Sequence, residues 1–334
     1  MRKSLPEIWN VGYFLLPSPL RLIALLLEYR CRRCVPWGFF LKFQILKMSI
    51  FNSSAVPSLP AVLLEPLVKN ALLEDLGRAG DITTDAIVPA DAVAETRLVA
   101  RQEGVLAGLD LARIAFESVD PRIQFRPRVA DGVTLQPGTE IAVISGPARG
   151  MLTGERVALN FLCHLSGVAS ATASIVHSIR EYRTRVTCTR KTMPGLRAVQ
   201  KYAVRVGGGS NHRFGLDDAV LIKDNHIAIA GGVRQAVERA RAAIGHLVKI
   251  ELEVDTLEQL RTALEVGVEV VLLDNMGPDM LREAVEIVDG RAITEASGGI
   301  TPETAPALAA TGVDLMAIGW LTHSARVLDI GLDS

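Results

Sequence analysis

The strongest constraint on the fold is a regular alternation of short apolar segments with amphipathic segments between residues 185 and 318. The apolar segments have the length of strands, and the amphipathic segments repeat their apolar residues every three or four positions, as helices do. Strands that alternate with helices in this way form right-handed βαβ units around a parallel sheet. The pattern predicts strands at 185–189, 219–223, 248–254, 268–273, 292–295 and 315–318, and helices at 198–206, 233–243, 257–266, 278–287 and 302–310.

Polar side chains or glycines lie at the end of every one of these strands. Six such strands could form an open doubly wound sheet or an incomplete (β/α) barrel. In a barrel all the carboxyl ends face one mouth, whereas an open sheet spreads them along a line. We therefore predict an α/β chain in which residues 166–334 form an incomplete barrel, with one mouth formed by Arg190, Lys191, Lys223, Glu253, Asp274, Glu295, Ser297 and Gly319.

A different pattern precedes the barrel. An amphipathic helix is predicted at 65–76, where Gly77 ends it, and a second helix is predicted at 155–165. Between them, Gly and Pro residues separate short segments with strand character at 96–101, 105–109, 123–129, around 133 and at 141–145. This mixture predicts a separate α/β domain over residues 61–165.

The first 60 residues read as an extension and a linker outside the fold. Residues 1–48 carry eight basic and two acidic residues, and a Ser/Pro-rich segment follows at 51–60. A membrane span needs roughly 20 uninterrupted apolar residues, and this segment has no such run. We expect either a dispensable extension ahead of a true start at Met48 or, as the alternative, a targeting segment.

The remaining chain is mildly acidic, with 28 basic and 35 acidic residues, so neither a nucleic acid nor a membrane is expected as a partner. Four cysteines are too few for a disulfide framework in 334 residues, which indicates a reducing compartment and predicts a cytoplasmic protein. Cys31 and Cys34 have CxxC spacing but no neighbouring ligands, so we interpret them as structural.

The residues at the mouth predict a ligand rich in negative charge. The cations suit carboxylates and phosphates, and they are Arg190, Lys191, His212, Arg213 and Lys223. Glu253 and Asp274, on adjacent strands, can hold Mg²⁺ with a pyrophosphate or stabilise a developing cation. Two glycine-containing segments follow the last two strands, where barrels commonly bind a phosphate on backbone N–H groups, and they are Ser297-Gly298-Gly299 and Ile318-Gly319. We interpret His323 and Cys188 as structural and His226 as a supporting residue at most.

Several of these segments together resemble the quinolinate phosphoribosyltransferase family, over about residues 63–332. The matching motifs are Glu74-Asp75-Leu76-Gly77, Gly80-Asp81-Ile82-Thr83, Glu155-Arg156-Val157, Thr189-Arg190-Lys191-Thr192, Asn211-His212-Arg213, Leu221-Ile222-Lys223-Asp224-Asn225-His226, Glu251-Leu252-Glu253-Val254, Leu273-Asp274-Asn275 and Ser297-Gly298-Gly299. The resemblance implies a type II phosphoribosyltransferase fold, with an N-terminal α/β sandwich domain and a barrel of six or seven strands. It further implies a homodimer whose sites are completed across the interface, and we expect the C-terminal tail to return to the first domain.

The resemblance also implies a reaction, in which quinolinate and 5-phosphoribosyl 1-pyrophosphate give nicotinate mononucleotide, pyrophosphate and CO2 in de novo NAD biosynthesis. Arg190, His212, Arg213 and Lys223 would hold the quinolinate carboxylates, and Arg156 would come from the neighbouring subunit. Lys191 would contact either substrate. Glu253 and Asp274 would hold Mg²⁺ and the ribose hydroxyls, and the implied catalytic set is Lys191, Glu253 and Asp274. The remaining substrate-binding residues would be Thr189, Ser297, Gly298, Gly299, Ile318 and Gly319.

Three other functions remain open from the sequence. A lyase of the aldolase kind could form a Schiff base on Lys191 or Lys223. A noncatalytic anion-binding protein would need the cations but not both Glu253 and Asp274. Paralogues of the same fold that are associated with molybdenum transport could use a different acceptor.

Overall fold

The computed structural model describes residues 56–333, so the predicted extension, with Cys31 and Cys34, lies outside the described residues. In chain order the helices are α1 (Ala61–Leu76), α2 (Ile82–Ile87), α3 (Leu109–Val119), α4 (Ala148–Ser178), α5 (Arg197–Val206), α6 (Asp224–Ala230), α7 (Val233–Ala243), α8 (Leu257–Val266), α9 (Pro278–Val288), α10 (Ala305–Ala309) and α11 (Trp320–His323). The strands are β1 (Val93–Ala100), β2 (Gly104–Val105), β3 (Gln124–Pro127), β4 (Thr134–Leu135), β5 (Glu140–Pro147), β6 (Arg185–Thr187), β7 (Val220–Ile222), β8 (Ile250–Val254), β9 (Val270–Asp274), β10 (Ile293–Ser297), β11 (Leu315–Ala317) and β12 (Ile330–Asp333).

The first of the two large sheets is antiparallel and has the strand order β12-β1-β5-β3. Strand β5 contributes a run of buried residues, including Ile141 and Ile144, to a core that it shares with Phe116 of α3 and Leu162 of α4. Because one face of this sheet is covered by helices, its strands can bury their apolar side chains there.

Helix α4 connects this core to a second one. Its residues Val157 and Leu162 belong to the first core, whereas Ile175 belongs to the second. By length and composition alone α4 could cross a membrane, but 56% of its most apolar window is buried inside the protein, which is typical of a core helix. The helix predicted at 155–165 is therefore 31 residues long, and the domain boundary predicted at 165 falls within it and stays a prediction.

The second large sheet is parallel and has six strands in the order β6-β11-β10-β9-β8-β7. Each of its strands overlaps one predicted from the alternating pattern, which confirms the predicted fold class. The helices between the strands also have local signals. Helix α8, for example, begins with a capping box in which Thr256 Oγ1 accepts a hydrogen bond from Gln259 N at 3.2 Å, and it ends at Gly267 in the left-handed conformation.

The parallel sheet curls into an incomplete barrel. Ser210 lies beside the edge strand β6, because its N–H donates to Val186 O at 2.7 Å. Two residues later, His212 reaches Glu251 on β8 and Glu295 on β10. His212 starts beside β6, at one edge of the sheet, and can contact β8 and β10 only if the sheet curves so that all three strands face the same interior. The loop after α5 thus partly fills the gap between β6 and β7.

One predicted strand is wrong. Residues 105–109, predicted as a strand, include the end of β2 and the first residue of helix α3. Two features start this helix. Gly108 adopts a left-handed conformation with φ 106°. The Asp131 carboxylate accepts hydrogen bonds from Gly108 N at 2.8 Å and from Leu109 N at 3.2 Å. Asp131 lies more than 20 residues away, so no local pattern could reveal this cap.

The C-terminal strand β12 lies in the first sheet and not in the barrel. It pairs with β1 in antiparallel register, with Ala100 opposite Ile330 and Arg97 opposite Asp333. The segment that leads to it packs directly on α4, since a Cβ added to Gly167 would lie 2.1 Å from Arg326 O. Glycine at this position therefore permits the chain to return from the barrel to the first sheet.

Candidate active site

A cavity of about 340 Å³ opens at the carboxyl ends of the parallel strands. Asp274, Ser297 and Ala317, the last residues of β9, β10 and β11, contribute to its wall. The cavity therefore lies at the predicted mouth of the barrel. Its lining residues are Thr189, Lys191, Asp274, Asn275, Ser297, Gly298, Gly299, Ile300, Ala317, Ile318, Gly319, Trp320 and His323.

The glycine loop of the cavity packs tightly on the neighbouring strand end. Gly298 has φ 104°, and a Cβ at this position would lie 2.1 Å from Asn275 Oδ1. Asn275 in turn has φ 53°, donates from its backbone N–H to Ser297 O at 2.9 Å, and donates from Nδ2 to Asp274 Oδ2 at 2.7 Å. The loop thus fixes the Asp274 carboxylate and is held close to it, an arrangement that suits backbone N–H groups facing an anion.

We expect Gly298→Ala to raise KM for phosphoribosyl pyrophosphate, the substrate that the sequence resemblance implies for this loop, by about 10- to 100-fold, because strain and the clash with Asn275 together cost about 1.5–3 kcal/mol. Gly299→Ala is the matched control, since Gly299 has φ 58° but a Cβ there would meet nothing within 4 Å. Steady-state kinetics with each substrate varied would measure both effects. Equal KM values in the two variants would show that the close contact with Asn275 is irrelevant to binding.

The Lys191 backbone is held from both sides. Its N–H donates to Thr189 Oγ1 at 3.0 Å, and its carbonyl accepts a hydrogen bond from Thr322 Oγ1 at 2.8 Å. A Cβ at Gly319 would lie 3.0 Å from Lys191 Cδ, so the side chain passes close over the Gly319 backbone. The main chain of Lys191 is therefore held rigidly, which fixes the point from which its side chain extends into the cavity.

Arg190 and Arg213 are two half-buried cations close to each other. Arg213 Nη1 donates to Ala219 O at 3.0 Å, but the buried Nε atoms of both arginines have no hydrogen-bond partner within residues 56–333. Burial, followed by repulsion from Arg190, lowers the pKa of Arg213. Two guanidinium groups with unsatisfied N–H groups form a site that favours an anionic ligand.

A buried cluster of His212, Glu251 and Glu295, here the histidine cluster, lies inside the barrel. His212 Nε2 lies 2.9 Å from Glu251 Oε2 and 3.7 Å from Glu295 Oε1, and both carboxylates are buried. Burial opposes the charged imidazole, yet the hydrogen bond to Glu251 and the attraction of both carboxylates raise the pKa of His212. From the sequence we predicted His212 as a site residue and Glu295 at the mouth of the barrel, without a chemical role for Glu295 or Glu251. The structure instead buries both acids beside His212 inside the barrel.

Burial and repulsion by Glu251 raise the pKa of Glu295 to about 8. Between the ordinary glutamate value of 4.5 and about 8, the folded protein retains a proton that the unfolded chain releases, so stability falls as pH rises through this window. We expect Glu295→Gln, which cannot ionise, to be more stable than wild type by about 1–3 kcal/mol at pH 8 and by much less at pH 5. Urea unfolding at both pH values measures this difference. Glu265→Gln, on the exposed surface, is the control and is expected to show no such pH dependence.

Lys223 and Glu253 form an ion pair at the ends of β7 and β8. From the sequence we predicted separate roles for them, with Lys223 binding a substrate carboxylate and Glu253 binding a metal, whereas the structure places their charged groups in contact. Lys223 is also the residue before α6, where its N–H donates to His226 Nδ1 at 3.0 Å. His226 therefore orients the main chain at Lys223.

Arg156 occupies a different part of the molecule. It is exposed on the surface of α4, and it is not among the residues that line the cavity. By contrast, His323, which we interpreted as structural, lines the cavity beside Trp320. The signal for His323 lay in its position four residues after Gly319, within the short helix that follows the last barrel strand.

Comparisons with known proteins cover most of the described chain. Two family models match successive parts of the chain: quinolinate phosphoribosyl transferase, N-terminal domain, over residues 81–166, and C-terminal domain, over residues 168–333. The chain is 48% identical over 271 residues to the nicotinate-nucleotide pyrophosphorylase [carboxylating] of Mycobacterium leprae, covering 80% of this chain and 95% of that protein. It is 44% identical over 270 residues to the probable nicotinate-nucleotide pyrophosphorylase [carboxylating] of Bacillus subtilis, covering 81% and 93%.

Solved structures agree in fold. NadC from Streptococcus pyogenes superposes with a TM-score of 0.81 at 40% identity, covering 83% of this chain and 98% of that one. The fold and the cavity thus define a phosphoribosyltransferase with an incomplete barrel. Within that class, the chain belongs to the quinolinate phosphoribosyltransferase family.

Proposed function

We propose that this site transfers a phosphoribosyl group from 5-phosphoribosyl 1-pyrophosphate to the ring nitrogen of quinolinate and then releases CO2. The chain is a carboxylating nicotinate-nucleotide pyrophosphorylase of NAD biosynthesis, EC 2.4.2.19. The observation that best supports the assignment of residues is the pairing of a glycine-lined cavity beside Asp274 with two half-buried arginines that have unsatisfied N–H groups. The first suits a phosphorylated sugar, and the second suits a dicarboxylate.

Quinolinate would bind through its two adjacent carboxylates. Arg190 and Arg213 supply the guanidinium groups that pair with carboxylates in bidentate geometry, and His212 supplies a further donor. Lys223 would exchange its contact with Glu253 for a substrate carboxylate. Holding both carboxylates fixes the plane of the ring and points its nitrogen at the sugar.

The phosphorylated sugar would occupy the cavity. Ser297, Gly298, Gly299, Ile318 and Gly319 would bind the 5′-phosphate through backbone and hydroxyl donors, with Thr189 at the side. Lys191 would contact the pyrophosphate, where its ammonium opposes the negative charge that grows on the leaving group. Glu253 and Asp274 would accept hydrogen bonds from the ribose hydroxyls.

The donor set also suits Mg²⁺, which takes carboxylate oxygens and substrate phosphates as ligands. Asp274 faces the cavity with its orientation fixed by Asn275, and Glu253 lies on the adjacent strand, so these two carboxylates would hold the ion. Bound there, Mg²⁺ would neutralise charge on the pyrophosphate. Asp274 is the better placed of the two in the free enzyme, because Lys223 already contacts Glu253.

In the transfer, the bond between the sugar carbon and pyrophosphate breaks as the quinolinate nitrogen attacks that carbon. The carboxylates of Glu253 and Asp274 stabilise the positive charge that develops on the ribose. The nitrogen is then quaternary, so when CO2 leaves the adjacent ring carbon the electron pair left behind is stabilised by N⁺ and takes up a proton. No covalent bond to the enzyme is required.

We further propose a homodimer in which Arg156 of one subunit completes the site of the other. This rests on the exposed position of Arg156, away from the cavity of its own chain, together with the family resemblance. A cytoplasmic location is proposed on the low cysteine content and the acidic body of the protein.

The proposal is tested by mixing the purified protein with quinolinate, 5-phosphoribosyl 1-pyrophosphate and MgCl2 and measuring nicotinate mononucleotide and CO2 together. Both products are expected in equal amounts, and Lys223→Ala is expected to reduce both. Borohydride trapping of a carbonyl substrate on Lys191 or Lys223 would instead indicate a lyase. Quinolinate binding without either product would contradict the transferase and leave a binding protein or a paralogue with another acceptor.

A further inference from the structure

The surroundings of His212 in the histidine cluster are not explained by contact with substrate alone. Only one ring nitrogen of His212 is occupied: Nε2 bonds Glu251, while the buried Nδ1 has no hydrogen-bond partner among the described residues. We propose that Glu251 is a positioning residue that holds His212 as an imidazolium, so that its Nδ1–H is free to donate to a quinolinate carboxylate. This inference rests on the proposed function of the site.

The protonation state decides whether His212 can bind an anion. A neutral imidazole that donates from Nε2 to Glu251 would present a lone pair at Nδ1, which repels a carboxylate. An imidazolium donates from both nitrogens at once. The carboxylate of Glu251, only 7% exposed and 2.9 Å from Nε2, favours this second form and also fixes the plane of the ring.

The backbone of His212 is held as firmly as its side chain. Lys201 is only 2% exposed, and its Nζ donates to His212 O at 2.9 Å and to Cys188 Sγ at 3.0 Å. The loop that carries His212 and Arg213 is therefore fixed to helix α5 and to the residue that precedes Thr189. With both main chain and ring fixed, the direction of Nδ1 is set before substrate arrives.

A metal ion is the competing occupant, because His212, Glu251 and Glu295 each offer a ligand atom within 4.8 Å of the others. A metal–nitrogen bond would be about 2.0–2.1 Å, and the metal would take the position of the Nε2 proton. Two ligands of a tetrahedral metal with such bonds lie about 3.3 Å apart. The 2.9 Å separation of His212 Nε2 from Glu251 Oε2 is instead that of a hydrogen bond. Nearby positive charge is already supplied by Lys201 beside His212 and by Arg213 beside Glu251, and both would repel a cation.

The test combines spectroscopy of the resting enzyme with kinetics. Protein with ¹⁵N-labelled histidine is studied by NMR at pH 8, and the His212 signals are identified by their loss in His212→Gln. We expect both nitrogens of His212 to be protonated in the wild type and a neutral ring in Glu251→Gln. A neutral or metal-bound His212 in the wild type would overturn the proposal, and this measurement needs no variant of Glu251 to fold.

In kinetics, Glu251→Gln is expected to raise KM for quinolinate by about 10- to 100-fold and to change KM for phosphoribosyl pyrophosphate by less than about threefold. Glu295→Gln is the matched variant, because its carboxylate lies 3.7 Å from His212 Nε2, beyond hydrogen-bond distance. It should raise KM for quinolinate less than Glu251→Gln does and change KM for phosphoribosyl pyrophosphate by less than about threefold. An equal loss in both variants, or no loss in Glu251→Gln, would overturn the role of Glu251.

Asp131→Asn controls for the removal of any buried carboxylate. Asp131 accepts hydrogen bonds from Gly108, Leu109 and Tyr202 in the first core, so its variant should lose stability with normal KM values.

If the wild type neither turns over nor binds quinolinate, the proposed function fails, whereas the NMR result still decides the state of His212. An active wild type with an unaffected Glu251→Gln overturns the inference alone.

Discussion

Replacing Arg213 with alanine is expected to lower kcat/KM for quinolinate by about 10³-fold while changing KM for phosphoribosyl pyrophosphate by less than about threefold. Each charge-assisted hydrogen bond to a carboxylate contributes about 1.5–3 kcal/mol, and a guanidinium can make two of them. Arg213 is half-buried beside Arg190, so water replaces it poorly in the variant. Steady-state kinetics with quinolinate varied measures the loss directly.

Two further variants sharpen this experiment. Arg213→Lys should recover little activity, because an ammonium cannot reproduce the planar fork of a guanidinium. Arg241→Ala is the matched control: this exposed arginine donates to the carbonyls of Val266 and Gly267 at the end of α8 and contacts no part of the site. If Arg213→Ala retained a normal KM for quinolinate, the carboxylate would have to bind elsewhere in the barrel.

Asp274→Asn should lower kcat by about 10²- to 10³-fold, because a charge that stabilises the transition state is lost while the shape of the side chain is kept. The amide oxygen can still accept the hydrogen bond from Asn275 Nδ2, so the loop around Gly298 should remain in place. We also expect the variant to need at least about tenfold more MgCl2 for half-maximal rate, since one of two proposed ligands has lost its charge.

A magnesium titration of the initial rate separates these two effects. Asp279→Asn serves as the control, because Asp279 lies in an exposed ion pair with Arg282 on α9 and should affect neither quantity. A wild-type magnesium dependence in Asp274→Asn would remove Asp274 from the metal site, and an unchanged kcat would remove it from the catalytic set.

The barrel and its mouth were predictable for a specific reason. Parallel strands buried on both faces give continuous apolar segments, and functional residues lie at their carboxyl ends, as with Asp274 at the end of β9 and Ser297 at the end of β10. Sequence order therefore carries spatial information in this half of the chain. Of the residues predicted at strand ends, Lys191, Asp274, Ser297 and Gly319 line one cavity for that reason. The cavity lining does not include Arg190, Lys223, Glu253 or Glu295.

The interactions that the sequence did not reveal are long-range and inward-facing. The Asp131 cap of α3 joins residues more than 20 positions apart, and the contact of His212 with Glu251 and Glu295 crosses the barrel interior. The ion pair of Lys223 with Glu253 was not predicted for a different reason. Each residue alone suited a separate ligand, a carboxylate for Lys223 and a metal ion for Glu253, and only the structure shows that the two contact each other. Local periodicity carries no information about such partners.

The position of β12 bears on how the chain is made. During synthesis β1 leaves the ribosome early, but β12, which pairs with its outer edge, follows only after all the barrel strands. Until β12 has been made, that edge keeps unpaired N–H and C=O groups, which invite pairing with other nascent chains. Rare codons in the segment between the last barrel strand and β12 should therefore lower the soluble yield more than the same codons in the middle of the barrel.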